Sequence, residues 1–272
     1  WARSNGSGAP DPRTFAAMAY DEAASVVVLF GGGGTPRRND TWIFDPSTGK
    51  WQNVTTGLRP PGRSAHAMTF DARLGKVVLF GGCCRGSNPY SSLPFDDVWT
   101  FDATSREWSP LPMPGPVPGR AGHGMVYDRN AGVLVVFGNQ LWLGSTGTRD
   151  TWTLDSLRHE WVSRSAPQGG YGHLAVDRLS GEVVAIGGPL ANEAWSFDGG
   201  IGTWSFIGAT NRSYGYYSAS AVDTARSRIV IHRRSALADG QRSLGVRSPE
   251  QDVDEPDEPG RAPAELGRGA RI

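Results

Sequence analysis

Four times this chain places two tryptophans nine residues apart: Trp42 and Trp51, Trp99 and Trp108, Trp152 and Trp161, Trp195 and Trp204. Tryptophan is scarce in most chains, so four pairs at one spacing point to a repeated unit of roughly 40–50 residues. A unit that small cannot bury both of its faces alone and has to stack on its neighbours.

The residues around each pair say what the unit is. An acid stands two positions before each first tryptophan (Asp40, Asp97, Asp150, Glu193), and an aspartate three positions after it (Asp45, Asp102, Asp155, Asp198). The segments Pro46-Ser47-Thr48-Gly49 and Gly199-Gly200-Ile201-Gly202 have hairpin-turn chemistry. Each pair therefore reads as strand, tight turn, strand. Upstream, Asp21, Asp71, Asp128, Asp177 and Asp223 each lead through a polar turn into a β-branched run, such as Val77-Val78-Leu79-Phe80 or Val133-Leu134-Val135-Val136-Phe137. Short apolar runs bounded by turn signals suit strands buried on both faces. The first four runs end in glycine (Gly31, Gly81, Gly138, Gly187), which allows close backbone approach as the chain leaves the strand.

Each unit is thus four strands, with no helical period anywhere, and radial stacking of such sheets makes a β-propeller. The glycine after the second strand and the aromatic pair across the third and fourth resemble the kelch-repeat family, with tryptophan where the pair commonly has tyrosine. The resemblance runs from Trp1 to about Ile231. It implies an all-β kelch propeller and, since members bind proteins, glycans or small ligands and only some are enzymes, says little by itself about function.

The ends refine this. Trp1 precedes Arg13 by twelve residues, the interval that separates Trp51 from Arg63 and Trp108 from Arg120. Trp1 thus reads as the second tryptophan of a unit, its strand the outer one of a blade. At the other end, residues 218–231 offer only the first two strands. The expected architecture is four complete blades plus one composite, incomplete blade, lacking its third strand and closed by the N-terminal strand. Residues 1–232 form this propeller. Residues 233–272 lack Trp, Phe and Tyr, and residues 249–260 are Pro-rich and acidic with arginines around them, a composition expected to stay disordered.

Positive and negative charges balance, 27 against 27, with no basic stripe, which argues against a nucleic-acid partner. No run has the length of a transmembrane helix, so no membrane partner is expected. Cys83 and Cys84 are adjacent and are expected as free thiols, since a disulfide between neighbours is geometrically strained. His66, His123 and His173 recur on successive units but stand about 10 Å apart if blades stack at sheet spacing, too far to share one ion at about 2 Å per ligand. Neither metal nor other cofactor is expected. No Gly-x-Ser-x-Gly, phosphate-binding loop or His-Glu-x-x-His is present. Nothing gathers the tyrosines, histidines and cross-linked cysteine that a copper-radical oxidase on similar blades requires. The chain reads as a non-catalytic protein.

Strand connectivity puts the short intra-hairpin turns on one face and the long, variable loops on the other, where binding residues on a rigid scaffold belong. Arg13, Arg63 and Arg120 recur there, at the entry to each innermost strand. They fit a carboxylate or acidic peptide held by bidentate hydrogen bonds. Equally, they fit caps for loop carbonyls or partners for the recurring acids. Tyr171 and Tyr214 stand near the corresponding places in the fourth and fifth units, and Tyr90 and Trp142 lie in long loops. The leading function is a protein- or peptide-binding interaction module working through the long-loop face. The alternatives are an extracellular glycan-binding or carbohydrate-active propeller using Tyr90 and Trp142, and a truncated propeller without settled activity.

Overall fold

The computed structural model describes residues 8–34, 36–83, 93–115, 117–138, 150–166, 172–176, 180–187, 193–209, 219–223, 228–232 and 243–247. Every regular element among them is a strand. The first blade comprises β1 (Ala17–Asp21), β2 (Val26–Gly32), β3 (Arg38–Asp45) and β4 (Lys50–Asn53). The second holds β5 (Ala67–Asp71), β6 (Lys76–Phe80), β7 (Val98–Asp102) and β8 (Glu107–Leu111). The third holds β9 (Gly124–Asp128), β10 (Val133–Phe137), β11 (Thr151–Asp155) and β12 (Glu160–Arg164). In the fourth are β13 (Gly172–Val176), β14 (Val183–Gly187), β15 (Glu193–Asp198) and β16 (Thr203–Ala209). Each is an antiparallel meander whose strands pair in chain order, with the tryptophan pairs on its third and fourth strands as expected.

The fifth sheet corrects the expectation in one strand. β17 (Ala219–Asp223) and β18 (Arg228–His232) form, and β19 (Ser243–Arg247) pairs antiparallel with β18 in the third position. That position is therefore filled from within the segment assigned to the tail. A strand needs only its ladder of backbone hydrogen bonds and alternating residues, so β19 forms without the tryptophan pair that marks the other units. The rest of the tail and the N-terminal strand lie outside the described residues.

The turns explain why the hairpins are uniform. The Asp45, Asp71, Asp102, Asp128 and Asp198 carbonyls each accept the N–H four residues on, at 2.7–2.9 Å. Their carboxylates take further turn N–H groups, as Asp102 Oδ1 does from Thr104 and Ser105. The closing residue has positive φ. It is glycine at Gly49, Gly75, Gly132 and Gly202, but Arg106 in the second blade takes the same conformation at φ 63°.

The core lies between blades. Val28, Phe30 and Ile43 of the first blade pack on Met68, Val77, Leu79, Phe101 and Trp108 of the second. Val78, Phe80 and Val98 of the second meet Met125, Leu134, Val136 and Leu154 of the third. Val135 and Phe137 meet Leu174, Val183, Ala185 and Phe197 of the fourth. The fourth-strand tryptophans of the second, third and fourth blades reach back to the ring ending the previous blade's second strand. Trp108 lies 5.0 Å from Phe30, Trp161 5.1 Å from Phe80, and Trp204 5.3 Å from Phe137, between ring centroids. Trp108 Nε1–H also donates to Thr41 Oγ1, and Trp204 Nε1–H to Thr151 Oγ1, both at 2.8 Å. Burying one such aromatic is worth about 1.5–3 kcal/mol. The segments entering the innermost strands are linked as well: Gly122 N–H donates to Ala65 O, and Ala65 N–H to Phe15 O.

Candidate functional site

The loop face is organised by three copies of one arrangement. Arg63 enters the second blade just before β5, and Asp97 stands just before β7. Arg63 Nη1–H donates to Asp97 Oδ1 at 2.6 Å and Nη2–H to Oδ2 at 2.8 Å. Nη1 also donates to Gly81 O at 2.9 Å and Nε to Pro61 O at 3.1 Å. Trp99 Nε1–H binds the same carboxylate at 2.8 Å, and the guanidinium lies 3.9 Å from the centre of the Phe95 ring. Arg120 holds Asp150 at 2.9 and 3.0 Å, joined by Trp152 at 2.6 Å. Arg13 holds Asp40 at 2.7 and 3.0 Å, joined by Trp42 at 2.6 Å. In every case the arginine ties the start of the first strand to the start of the third, closing the blade beneath a variable loop.

Of the two readings of Arg13, Arg63 and Arg120, these contacts fit pairing with the recurring acids rather than guanidiniums offered to a ligand. Arg63 and Arg120 are buried, and the Arg13 side chain nearly so. Each has both terminal nitrogens committed to a carboxylate. The recurring acids are the partners, and the latch is structural. Burial opposes ionisation of Asp97, yet the hydrogen bonds and charge of Arg63, with help from the Trp99 indole, hold its carboxyl below the usual range. Asp40 is lowered in the same way, against burial, by Arg13 and Trp42.

The latch also ties blade to blade. The Arg63 carbonyl accepts Gly32 N–H at 2.9 Å, and the Arg120 carbonyl accepts Gly82 N–H at 2.8 Å. A Cβ at Gly81 (φ 68°) would stand 2.5 Å from the Arg120 carbonyl oxygen and 2.9 Å from the His123 ring, so this position requires glycine. His66 and His123 fill the space behind, edge-on to Phe30 at 5.6 Å and Phe80 at 5.2 Å. Neither ring forms a well-made hydrogen bond among the described residues, although His66 leans toward the Phe30 backbone. Burial, and then the neighbouring arginine charge, pushes both down to about 3, so they are neutral packing groups. The His173 side chain lies outside the described residues. Among those described, no three His, Cys, Asp or Glu side chains stand where they could hold a metal ion.

Cys83 corrects another expectation. It is disulfide-bonded rather than a free thiol. Its backbone is fixed by a two-way bridge to Ser64, at 2.7 and 2.9 Å. Cys84, the other cysteine of the chain, lies outside the described residues, as do Tyr90, Trp142, Tyr171 and Tyr214. Among the described residues, the loop connections expose large apolar side chains that the sequence reading missed, Leu58 and Leu93 the most of them. One precedes Arg63 and the other precedes Asp97, so both flank a single latch. The signal available for them was an apolar residue inside a Pro/Gly-rich connection. On the opposite, turn face, a cavity of about 400 Å³ between the third and fourth blades is lined by Asp128, Glu182 and Asp198. Asp128 and Asp198 are already engaged with turn N–H groups.

Comparison with known proteins agrees with this geometry. Residues 1–188 match the KLHDC2/KLHL20/DRC7 kelch-repeats domain. The chain belongs to the kelch-repeat family. It is 27% identical over 191 residues to kelch domain-containing protein 2 of Bos taurus, covering 67% of this chain and 43% of that protein. An F-box/kelch-repeat protein of Arabidopsis thaliana is 43% identical over 86 residues, 29% of this chain and 17% of that one. The chain thus spans less than half the length of these relatives. The solved structure of YjhT superposes with a TM-score of 0.67 at 15% identity, covering 88% of this chain and 82% of that one, a likeness of fold.

Proposed function

We propose that this kelch propeller is a non-catalytic interaction module that takes a protein or peptide partner on its long-loop face. The observation that carries the reading is the division of labour on that face. The recurring arginines are consumed by the Arg–Asp latches, and Leu58 and Leu93 are exposed in the connections that lead to one of them. A surface whose guanidiniums are withdrawn into latches and whose loops offer apolar side chains suits a protein partner. The occupied arginines remove the reason for that partner to be acidic. The glycan reading rests on Tyr90 and Trp142, outside the described residues.

Affinity capture with the full chain, compared with Leu58→Asp/Leu93→Asp, tests this. The double variant should fold normally by near-UV circular dichroism and lose at least about tenfold in affinity for the captured partner. A turn-face change, Arg106→Gly, should leave binding untouched. A partner equally retained by the leucine variant, or lost with the turn variant, overturns the assignment of the loop face.

A further inference from the structure

On the turn face, the junction of the second and third blades carries its own cation. Arg73, two residues after Asp71, places Nη1 3.5 Å from Asp155 Oδ2 of the next blade. The same nitrogen donates to the Gly132 carbonyl at 2.7 Å. The hydroxyl of Ser156, one residue after Asp155, donates to Oδ2 of the buried Asp71. Within the second blade, Lys76 Nζ lies 3.7 Å from Asp102 Oδ2. These three turn carboxylates are thus each matched by a donor from the same chain.

At the junction of the third and fourth blades all three donors are gone. Asn130 holds the place of Arg73, two residues after Asp128, and its amide donates to Ser180 O at 3.0 Å. Gly199 holds the place of Ser156, one residue after Asp198, and a Cβ there would stand 2.1 Å from Asp128 Oδ2. Glu182 holds the place of Lys76. It precedes Val183, which pairs with Phe197, as Lys76 precedes Val77, which pairs with Phe101. One cation has become a neutral amide, the other a carboxylate, and the hydroxyl is lost. Between these residues lies the cavity of about 400 Å³, lined by Asp128, Glu182 and Asp198 and by no cationic side chain among the described residues. Asp128 is only 3% exposed. Its Oδ1 is held by the Asn130 and Ala131 N–H groups, while Oδ2, against Gly199, takes no hydrogen bond from a described residue. A buried carboxylate oxygen without a donor is costly.

We propose that this cavity binds the guanidinium of an arginine side chain presented by a partner peptide, in the place that Arg73 fills at the neighbouring junction. Asp198 and Gly200 are exposed at its mouth, so the side chain enters from solvent toward Asp128. The carboxylates do not form a group that could hold a metal ion. Spread over two blades, they suit a planar fork of five N–H donors. The site is separate from the loop face and does not depend on what that face binds.

Titration of the peptide Ac-Gly-Arg-Gly-amide into the isotope-labelled 272-residue chain, followed by NMR, tests this. Saturable shifts should appear at the amides of Ala131, Gly181, Gly199 and Gly200. The citrulline counterpart, neutral and of the same shape, should bind at least about tenfold more weakly. Asn130→Arg fills the place from within and should weaken the arginine peptide by about tenfold or more, with Tm unchanged or raised. Glu182→Lys should weaken it likewise, whereas Leu58→Asp/Leu93→Asp should leave it untouched. Absence of saturable shifts, equal binding of the citrulline peptide, or binding that survives both Asn130→Arg and Glu182→Lys overturns the proposal. Free arginine binding as tightly as the peptide would assign the cavity to a small guanidinium compound. Binding seen only in Arg178→Ala would mean that Arg178, outside the described residues, fills the cavity itself. Either result also overturns it.

Discussion

The two rims of the propeller are held by opposite strategies. On the turn face each aspartate binds its own turn, two to four residues away, so every hairpin closes locally. On the loop face Arg13, Arg63 and Arg120 reach acids 27, 34 and 30 residues away, spanning the longest and least regular segments. Local closure makes the turns interchangeable. Long-range closure lets the loops differ without releasing the strands they join, because the latch bears the connection and the loop does not.

If that contrast is right, damage to the loop face should be far costlier than damage to the turns. Arg63→Ala strands the Asp97 carboxylate in a half-buried site and should lower unfolding free energy by about 3–5 kcal/mol, measured by urea denaturation. A loss below about 1 kcal/mol would reduce the latch to decoration. The histidines behind the latches give the next effect. Their folded pKa of about 3 lies below the unfolded 6.5, so the unfolded chain binds more protons between those values. Stability from neutral His66 and His123 is complete above about pH 6.5 and declines as pH falls toward 3, by as much as about 3 kcal/mol per histidine at pH 4.5. His66→Leu/His123→Leu should flatten the stability profile between pH 7 and 4.5. An unchanged slope would place the titrating groups elsewhere.

Turn-face changes should be smaller and confined. Asp102→Ala removes the acceptor for two turn N–H groups and should cost about 1 kcal/mol, with hydrogen exchange quickened only near β7 and β8. Arg106→Gly relieves a non-glycine residue at φ 63° and should stabilise by about 0.5–1 kcal/mol. Thermal melting that moves the other way would show that the Arg106 side chain contributes something beyond its backbone.

The same contrast explains what could be read in advance. Hairpins advertise themselves locally, so the tryptophan pairs and turn aspartates located eighteen strands without ambiguity. The latch does not, because its partners are separated by loops of unequal length. A correlation was nevertheless present. Arg13, Arg63 and Arg120 accompany aspartates at 40, 97 and 150, whereas the fourth unit has Gly169 in the arginine register and Glu193 for the acid. Leu58 and Leu93 stayed hidden because they become informative only once their neighbours are known to be buried. β19 escaped notice since Ser243–Arg247 carries neither a tryptophan nor a turn aspartate.

The ties between adjacent blades recur from one junction to the next. Gly122 donates to Ala65, Ala65 to Phe15, Trp108 to Thr41 and Trp204 to Thr151, from the later unit to the earlier, while Gly32 donates to Arg63 and Gly82 to Arg120 in return. Each junction therefore presents the same set of donors and acceptors, like a stack of identical cups. Copying one whole unit in frame supplies a donor below and an acceptor above, and leaves no bond unmade. A cut or graft at any other phase breaks two junctions at once. Growth and loss by whole repeats is thus the cheap genetic step for such a chain, and change by fractions of one is the costly step.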